Sequence, residues 1–229
     1  MIRLDKYLAN NGHGSRREVK GLIRSGAVSV NGTVIFDDDF KFEEVGAKVE
    51  IEGNEVDNEA VVYVMLNKPK GYVSATRDNR DPTVTSLVPE YAHLELFPVG
   101  RLDKDTEGLM ILTNDGAFAH DALSPKNHVP KTYLVTTATP LTKNAVKKLS
   151  APMEFEEFTS APATVKLLDG NDALITICEG KYHQIKRMVA KCDNEVIALK
   201  RVAFGNLKLP DDLTEGQYRK LAREEVEGV

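Results

Sequence analysis

The spacing of apolar positions changes along the chain, and that change divides it. Near the start, Leu4 and Leu8 fall on one face and predict a short helix over Ile2–Asn10, which "NNGHG" breaks. Ser15 followed by Glu18 forms a capping box for a second helix that runs to about Arg24 and stops at Ser25-Gly26. Val19, Leu22 and Ile23 are its expected inward face. "AVSVNGTVI" then alternates with period two around Asn31-Gly32, which predicts a tight hairpin. The polar stretch Glu52–Ala60 reads as a link. From Val61 onward strand patterns dominate: "VVYVMLNKP", "GYVSAT", "LFPVGRLD", "GLMILTND", "KTYLVTTAT", "ATVKLLD", "ALITICEG" and "EVIALKRVAF". Helices fit between some of them, at Ala117–Leu123, Thr142–Leu149 and Tyr182–Lys191. There is no clean βαβ alternation and no repeat. The expected class is α+β: a small module over residues 1–58 and a domain over 61–229 built on a large, mainly antiparallel sheet.

Composition removes several classes of protein. The apolar runs are far too short to span a bilayer, and no basic-then-apolar leader opens the chain. Cys178 and Cys192 are the only cysteines and lack metal or redox spacing, which suits a reducing cytoplasm. The net charge of −5 argues weakly against nucleic acid, but its distribution alters that picture. Residues 1–34 hold six basic against two acidic side chains, whereas residues 35–60 hold two against ten. Arg16, Lys20 and Arg24 are spaced four apart and form one basic ridge, with Arg17 beside it. The ridge lacks acidic neighbours at i±4, which favours phosphate contact over a merely solvated face. That reading expects the acidic segment to face away.

Candidate chemistry concentrates in "VGRLDKDTEGLMILTNDG", Val99 to Gly116. Asp103, Asp105, Glu107 and Gly108 fit the first half of a calcium loop. The later positions hold Ile111 and Asn114, so the metal reading fails. If Val99–Asp103 is extended, Arg101 and Asp103 project to one face and Leu102 to the other. An arginine beside an aspartate keeps it ionised, although an arbitrary Arg-x-Asp is more often a surface pair capping a hairpin. Three further polar islands interrupt the strands: "LNKPKGYVSA", "SPKNHVPKTYLV" and "EGKYHQIKRM". In the second, Lys131 and Tyr133 share a face by period two. Taken singly, Lys68 reads as solvated, Tyr133 as core with a tethered hydroxyl, and His183 as a first-turn polar group.

In their order the motifs carry more. "SRREVKGLIRSGAVSVNG" resembles the small RNA-binding module named after ribosomal protein S-four, which implies that helix and hairpin bind RNA backbone. "GYVSATRDNRDPTV", "GRLDKDTEGLMILTNDG", "SPKNHVPKTYLV" and "EGKYHQIKRM" follow it, and together they resemble the RsuA group, the ribosomal small-subunit pseudouridine synthases. The resemblance spans nearly the whole chain. It implies a reaction with no cofactor and no metal, because breaking the uracil–ribose bond and rejoining the base through a ring carbon oxidises nothing and loses no group. It implies that Asp103 is the catalytic carboxylate, acting on the sugar or assisting proton removal. Arg101 would fill the gap left by a flipped nucleotide. Tyr133 would stack on the uracil, a contact of about 1–3 kcal/mol per base. Lys186 would pair with the carboxylate, with Arg187 as the adjacent alternative, since neighbours on a helix diverge by about 100°. Ile175 or Ile177 would floor the pocket. The implied partner is ribosomal RNA, bare or in a partly assembled small-subunit particle, met by a monomer. A large-subunit target, or a non-catalytic assembly protein, are the alternatives; the intact set of Asp103, Tyr133 and Lys186 argues against the second.

Overall fold

A computed structural model describes residues 1–44, 46–56 and 61–229. The last four residues of the expected link, 57–60, lie outside the described residues. The chain divides into two compact units: Met1–Val61 together with Glu90–Glu95, and Val62–Pro89 together with Leu96–Val229. The short Glu90–Glu95 piece belongs with the first unit although it falls far along the sequence, a placement no local pattern carries.

In the first unit the helices are Leu4–Asn10 and Arg16–Arg24. The second opens on the capping box: the Glu18 amide donates to Ser15 Oγ at 3.4 Å, and the Ser15 amide donates to Glu18 Oε2 at 2.7 Å. Asn31 and Gly32 both take positive φ, 50° and 78°, as a two-residue hairpin turn between Val28–Val30 and Thr33–Val34 requires. These strands join Val49–Ile51 and Asn54–Glu55 in a four-stranded antiparallel sheet. Leu4, Tyr7, Leu8, Val19, Ile23, Val28 and Val49 fill the core. The first helix starts later than the apolar spacing suggests, because Ile2–Arg3 pairs as a strand with Lys41–Phe42.

The basic ridge forms, but the acidic segment does not face away from it. Arg16 reaches Asp5 at 2.7 Å, Lys20 reaches Asp38 at 3.2 Å, and Arg24 reaches Asp38 at 2.6 Å. The partners missing at i±4 arrive from the "DDD" turn and from the first helix, which helical spacing within one element does not reveal. Among the described residues Arg17 alone of the four has no carboxylate partner.

Asp5 is fully buried between Arg3 and Arg16. The Arg3 hydrogen bonds, helped by Arg16 and opposed by burial, hold its carboxyl down to about 2. An unfolded aspartate titrates higher, near 4. As pH falls through the interval between them, the unfolded chain takes up the proton first and stability drops; above it the contribution is complete. Asp5→Asn is therefore expected to cost on the order of 1–2 kcal/mol at neutral pH, allowing for the half-exposed arginines. The deficit should shrink as pH approaches about 3. Urea denaturation of both proteins across that range measures it; a deficit independent of pH would remove the linkage.

The second unit is α+β. Its main sheet runs, in spatial order, Thr164–Leu167, Asp172–Ile177, Lys131–Thr137, Val196–Phe204, Glu107–Thr113, Tyr63–Lys68 and Tyr218–Lys220. Every pairing in that path is antiparallel except the central one, where Lys200 faces Glu107 and Arg201 faces Gly108 in parallel. Helix Gly116–Leu123 is capped by Asp115 and packs Ala119 and Ala122 on the core formed by Met65, Leu109, Ile111 and Phe204. Helix Lys143–Leu149 is capped by Thr142. No described helix is long and apolar enough to cross a membrane.

Two expected strands are largely loop. "GYVSAT" contributes a single bridge, Val73 to Thr83. In "LFPVGRLD" only Phe97–Pro98 pairs, since the backbone turns at Gly100 with φ 80°. The third expected helix begins at Gln184 rather than Tyr182, because His183 sits in the left-handed region at φ 50°. That residue carries more than a helix boundary.

Candidate active site

Two side chains from the "NKPKGYVSA" island hold the loop that carries Asp103. Lys68 ends strand Tyr63–Lys68 and is fully buried, not solvated. Its position shares the inward face of an apolar strand with Val64 and Leu66, a signal the sequence contained. Its ammonium donates to the carbonyls of Thr106 at 2.7 Å, Pro69 and Asp103 at 3.1 Å, and Lys104 at 3.4 Å. Burial pushes Lys68 down to about 8, against the pull of Asp105, Asp103 and Glu107. Ser74 Oγ donates to the Leu102 carbonyl at 2.7 Å and accepts from the Leu102 amide at 2.9 Å. Leu102 is buried while Arg101 is exposed and Asp103 half-buried, so the two charged side chains share the outward face.

The alternating charges now each have a reason. Asp103 Oδ2 lies 3.1 Å from Lys186 Nζ, which also meets Asp105 Oδ1 at 2.7 Å. Glu107 takes Lys70 at 3.5 Å. Burial alone would lower Lys186, but its bonds to Asp105 and Asp103 outweigh that and hold it above the ordinary lysine value. Asp105 is held below the usual carboxylate range, mainly by the Lys186 hydrogen bond. Asp103 Oδ1 faces His183 Nε2 at 3.6 Å.

Lys186 is delivered by helix Gln184–Ala190, whose Gln184, Ile185, Met188 and Val189 are buried. Gln184 is fixed by donating from Nε2 to Glu179 and accepting from the Lys181 amide at 3.0 Å. Arg187 does not enter the site. Its guanidinium lies 2.5 Å from Glu157 and covers the rings of Phe155 and Phe158, on a different side of the helix.

Tyr133 reaches the same place from strand Lys131–Thr137, where it pairs in register with Arg201. Arg201 is buried beneath it, with Nε donating to the Leu109 carbonyl at 2.6 Å and the guanidinium against the Tyr133 hydroxyl. Burial pushes Arg201 down, with Tyr133 acting in the opposite direction. Ile177, not Ile175, lines the cavity with Arg101, Asp103, Thr106, Tyr133 and Lys186. The cavity encloses about 430 Å³ of space, part of it open to solvent. The Thr106 hydroxyl on its wall is buried without a hydrogen-bond partner among the described residues. Sequence reasoning misread Lys68 and missed Ser74 and Arg201, whose contacts are distant in sequence, and it missed Thr106, whose hydroxyl no local pattern marks.

A carboxylate, a cation, an aromatic ring and a spare hydroxyl thus surround one cavity of the second unit. The chain belongs to the RNA pseudouridylate synthase family, whose model matches residues 62–191, and it carries an S4 domain over residues 2–43. It is 44% identical to the uncharacterized RNA pseudouridine synthase YtzG of Bacillus subtilis, over 98% of this chain and 97% of that one. It is 39% identical to ribosomal small subunit pseudouridine synthase A of Pasteurella multocida, over 98% of each chain. A solved pseudouridylate synthase superposes with a TM-score of 0.70 at 35% identity, covering 100% of this chain and 99% of that one. The protein is thus an RNA pseudouridine synthase, and RNA is its substrate.

Proposed function

We propose that the protein isomerises a uridine in small-subunit ribosomal RNA, with Asp103 as the essential carboxylate. The observation that carries the chemistry is the Asp103–Lys186 pair, 3.1 Å apart on the wall of the cavity that Tyr133 also lines. Similarity to ribosomal small subunit pseudouridine synthase A of several organisms, at 36–39% identity over nearly full length, supports the target.

The uracil N1–C1′ bond breaks, the base turns, and C5 bonds to C1′; the proton lost from C5 is matched by one gained at N1. Lys186 holds Oδ2 of Asp103, and Oδ1, on the His183 side, acts on the ribose. Tyr133 stacks on the detached base and the Thr106 hydroxyl offers it a hydrogen bond, so the uracil is retained. Arg101, exposed and without a carboxylate partner among the described residues, takes the space vacated by the flipped nucleotide. Release of tritium from ribosomal RNA labelled at C5 of uracil, with pseudouridine mapped in the product, tests this. Release only from large-subunit RNA would reassign the target.

Lys186→Met is expected to lower the chemical step by about 10²-fold or more, because the carboxylate loses the cation that lies 3.1 Å from it and orients its Oδ2. Arg187→Met should stay within a few-fold, since its guanidinium serves Glu157. Single-turnover rates of the two variants decide; the reverse ranking would displace Lys186 from the site.

For the first unit, Arg17 is the cation best placed to meet a phosphate. Arg17→Ala should reduce the salt slope of RNA binding by about one unit. Arg24→Ala should change it less, because Asp38 already neutralises that guanidinium. Equal slopes for wild type and Arg17→Ala would leave Arg17 as ordinary surface.

A further inference from the structure

Beside the Asp103 cavity lies a wider cleft, partly open to solvent, with Arg101, Asp103, Lys104, Lys181, Tyr182 and His183 on its walls. Tyr182 is 75% exposed there. A single exposed aromatic on a protein surface is ordinary. This one is built differently. Its inner face is covered by the His183 ring, with centroids 3.9 Å apart and planes at 17°. His183 adopts left-handed backbone, φ 50° and ψ 32°, a conformation that costs a non-glycine residue something and puts its ring between Tyr182 and Asp103. The outcome is a chain of contacts that starts at the candidate catalytic carboxylate, passes through the His183 ring and ends in an open aromatic face.

We propose that Tyr182, backed by His183, is a stacking platform for the nucleobase next to the target uridine in the RNA strand. The inference rests on the reading of the Asp103 cavity as the uridine site. Withdrawing a uridine from its stack strips its neighbour of a partner, and a rigid ring at the cavity rim replaces that partner. Aromatic faces accept any base, and cations beside them follow the backbone. Lys181 and Arg101 flank this face, whereas Lys104 is engaged by Asp81 at 2.6 Å. The platform therefore adds affinity and aligns the strand without reading the sequence.

The test uses the full-length enzyme and a ribosomal RNA fragment whose uridine the wild type converts. 2-Aminopurine is placed on the 5′ side of that uridine in one RNA and on the 3′ side in another. Wild type and Tyr182→Phe are expected to quench the fluorophore on one side, and Tyr182→Ala is expected not to. Tyr182→Ala should raise KM about ten-fold with kcat nearly unchanged, and Tyr182→Phe should restore it. Quenching retained in Tyr182→Ala, or a KM within two-fold of wild type, overturns the platform. A fall in kcat at saturating RNA with KM unchanged also overturns it, since Tyr182 would then act through His183 on Asp103. Asp103→Asn separates the two readings. If it is inactive and no flanking base is quenched by wild type, the platform fails and the cavity assignment stands. If it turns over, both fail.

Discussion

Asp103→Asn is expected to reduce pseudouridine formation by about 10⁴-fold or more while RNA affinity stays within a few-fold. The amide matches the carboxylate in shape and cannot supply its charge. The surroundings should survive the change. Lys186 keeps Asp105 at 2.7 Å, so no cation is left buried and alone. The loop is held by its backbone, through Lys68 on the Asp103, Lys104 and Thr106 carbonyls and through Ser74 on Leu102. None of those bonds involves the Asp103 carboxylate. Loss of rate with intact binding is therefore the signature of a missing reacting group, whereas loss of both would indicate a displaced loop. Tritium release and filter binding on one RNA give the two quantities. Turnover within ten-fold of wild type would take the essential role away from Asp103.

The parts of this protein that were legible in its sequence are those set by short-range rules. The capping box at Ser15, the Asn31-Gly32 turn and the alternation of "KTYLVTTAT" each depend on residues a few positions apart, and each element is present. The same locality explains the misreadings. "GYVSAT" has strand-forming residues, yet its backbone bonds are divided: the Gly71 amide donates to the Lys104 carbonyl, while Val73 donates to Pro82 and accepts from Val84. Arg187 and Lys186 are equal candidates by composition. Which one turns inward depends on where the helix starts, and the left-handed His183 sets that start. The ridge cations lack partners only within their own helix; Asp5 and Asp38 come from elsewhere. Chemistry of the site was carried by motif, but its support was not. Lys68 acts on backbone carbonyls of the Asp103 loop and Arg201 on one of a neighbouring strand, and a carbonyl has no letter in a sequence.

Gly108→Ala is expected to be the most damaging single-methyl change in the second unit. Gly108 sits at φ 105°, in a region side chains rarely adopt, and a Cβ built there falls 2.2 Å from the Arg201 carbonyl oxygen and 2.6 Å from its amide nitrogen. Both obstacles are backbone, so no side chain can swing aside. The contact is also the sheet's parallel seam, where Arg201 faces Gly108 and Lys200 faces Glu107 and no further pair joins the two strands. Backbone strain of about 1–3 kcal/mol adds to a comparable overpacking cost. A loss of about 3–5 kcal/mol follows, a large share of the 5–15 kcal/mol typical of a folded protein. The damage reaches the site from two sides, because Gly108 follows the loop that bears Asp103 while Arg201 lies under Tyr133. Gly116→Ala supplies the control: its Cβ meets nothing within 4 Å and its φ is ordinary, so stability should hold or rise slightly. Thermal denaturation of the two variants beside wild type separates a steric seam from a general need for glycine. A melting point for Gly108→Ala within about 2 °C of wild type, well under the roughly 6 °C or more that a 3–5 kcal/mol loss implies at about 2–4 °C per kcal/mol for a domain of this size, would mean that the strands part without penalty. The close approach of Arg201 to Gly108 would then not be what sets the position of Tyr133 against Asp103.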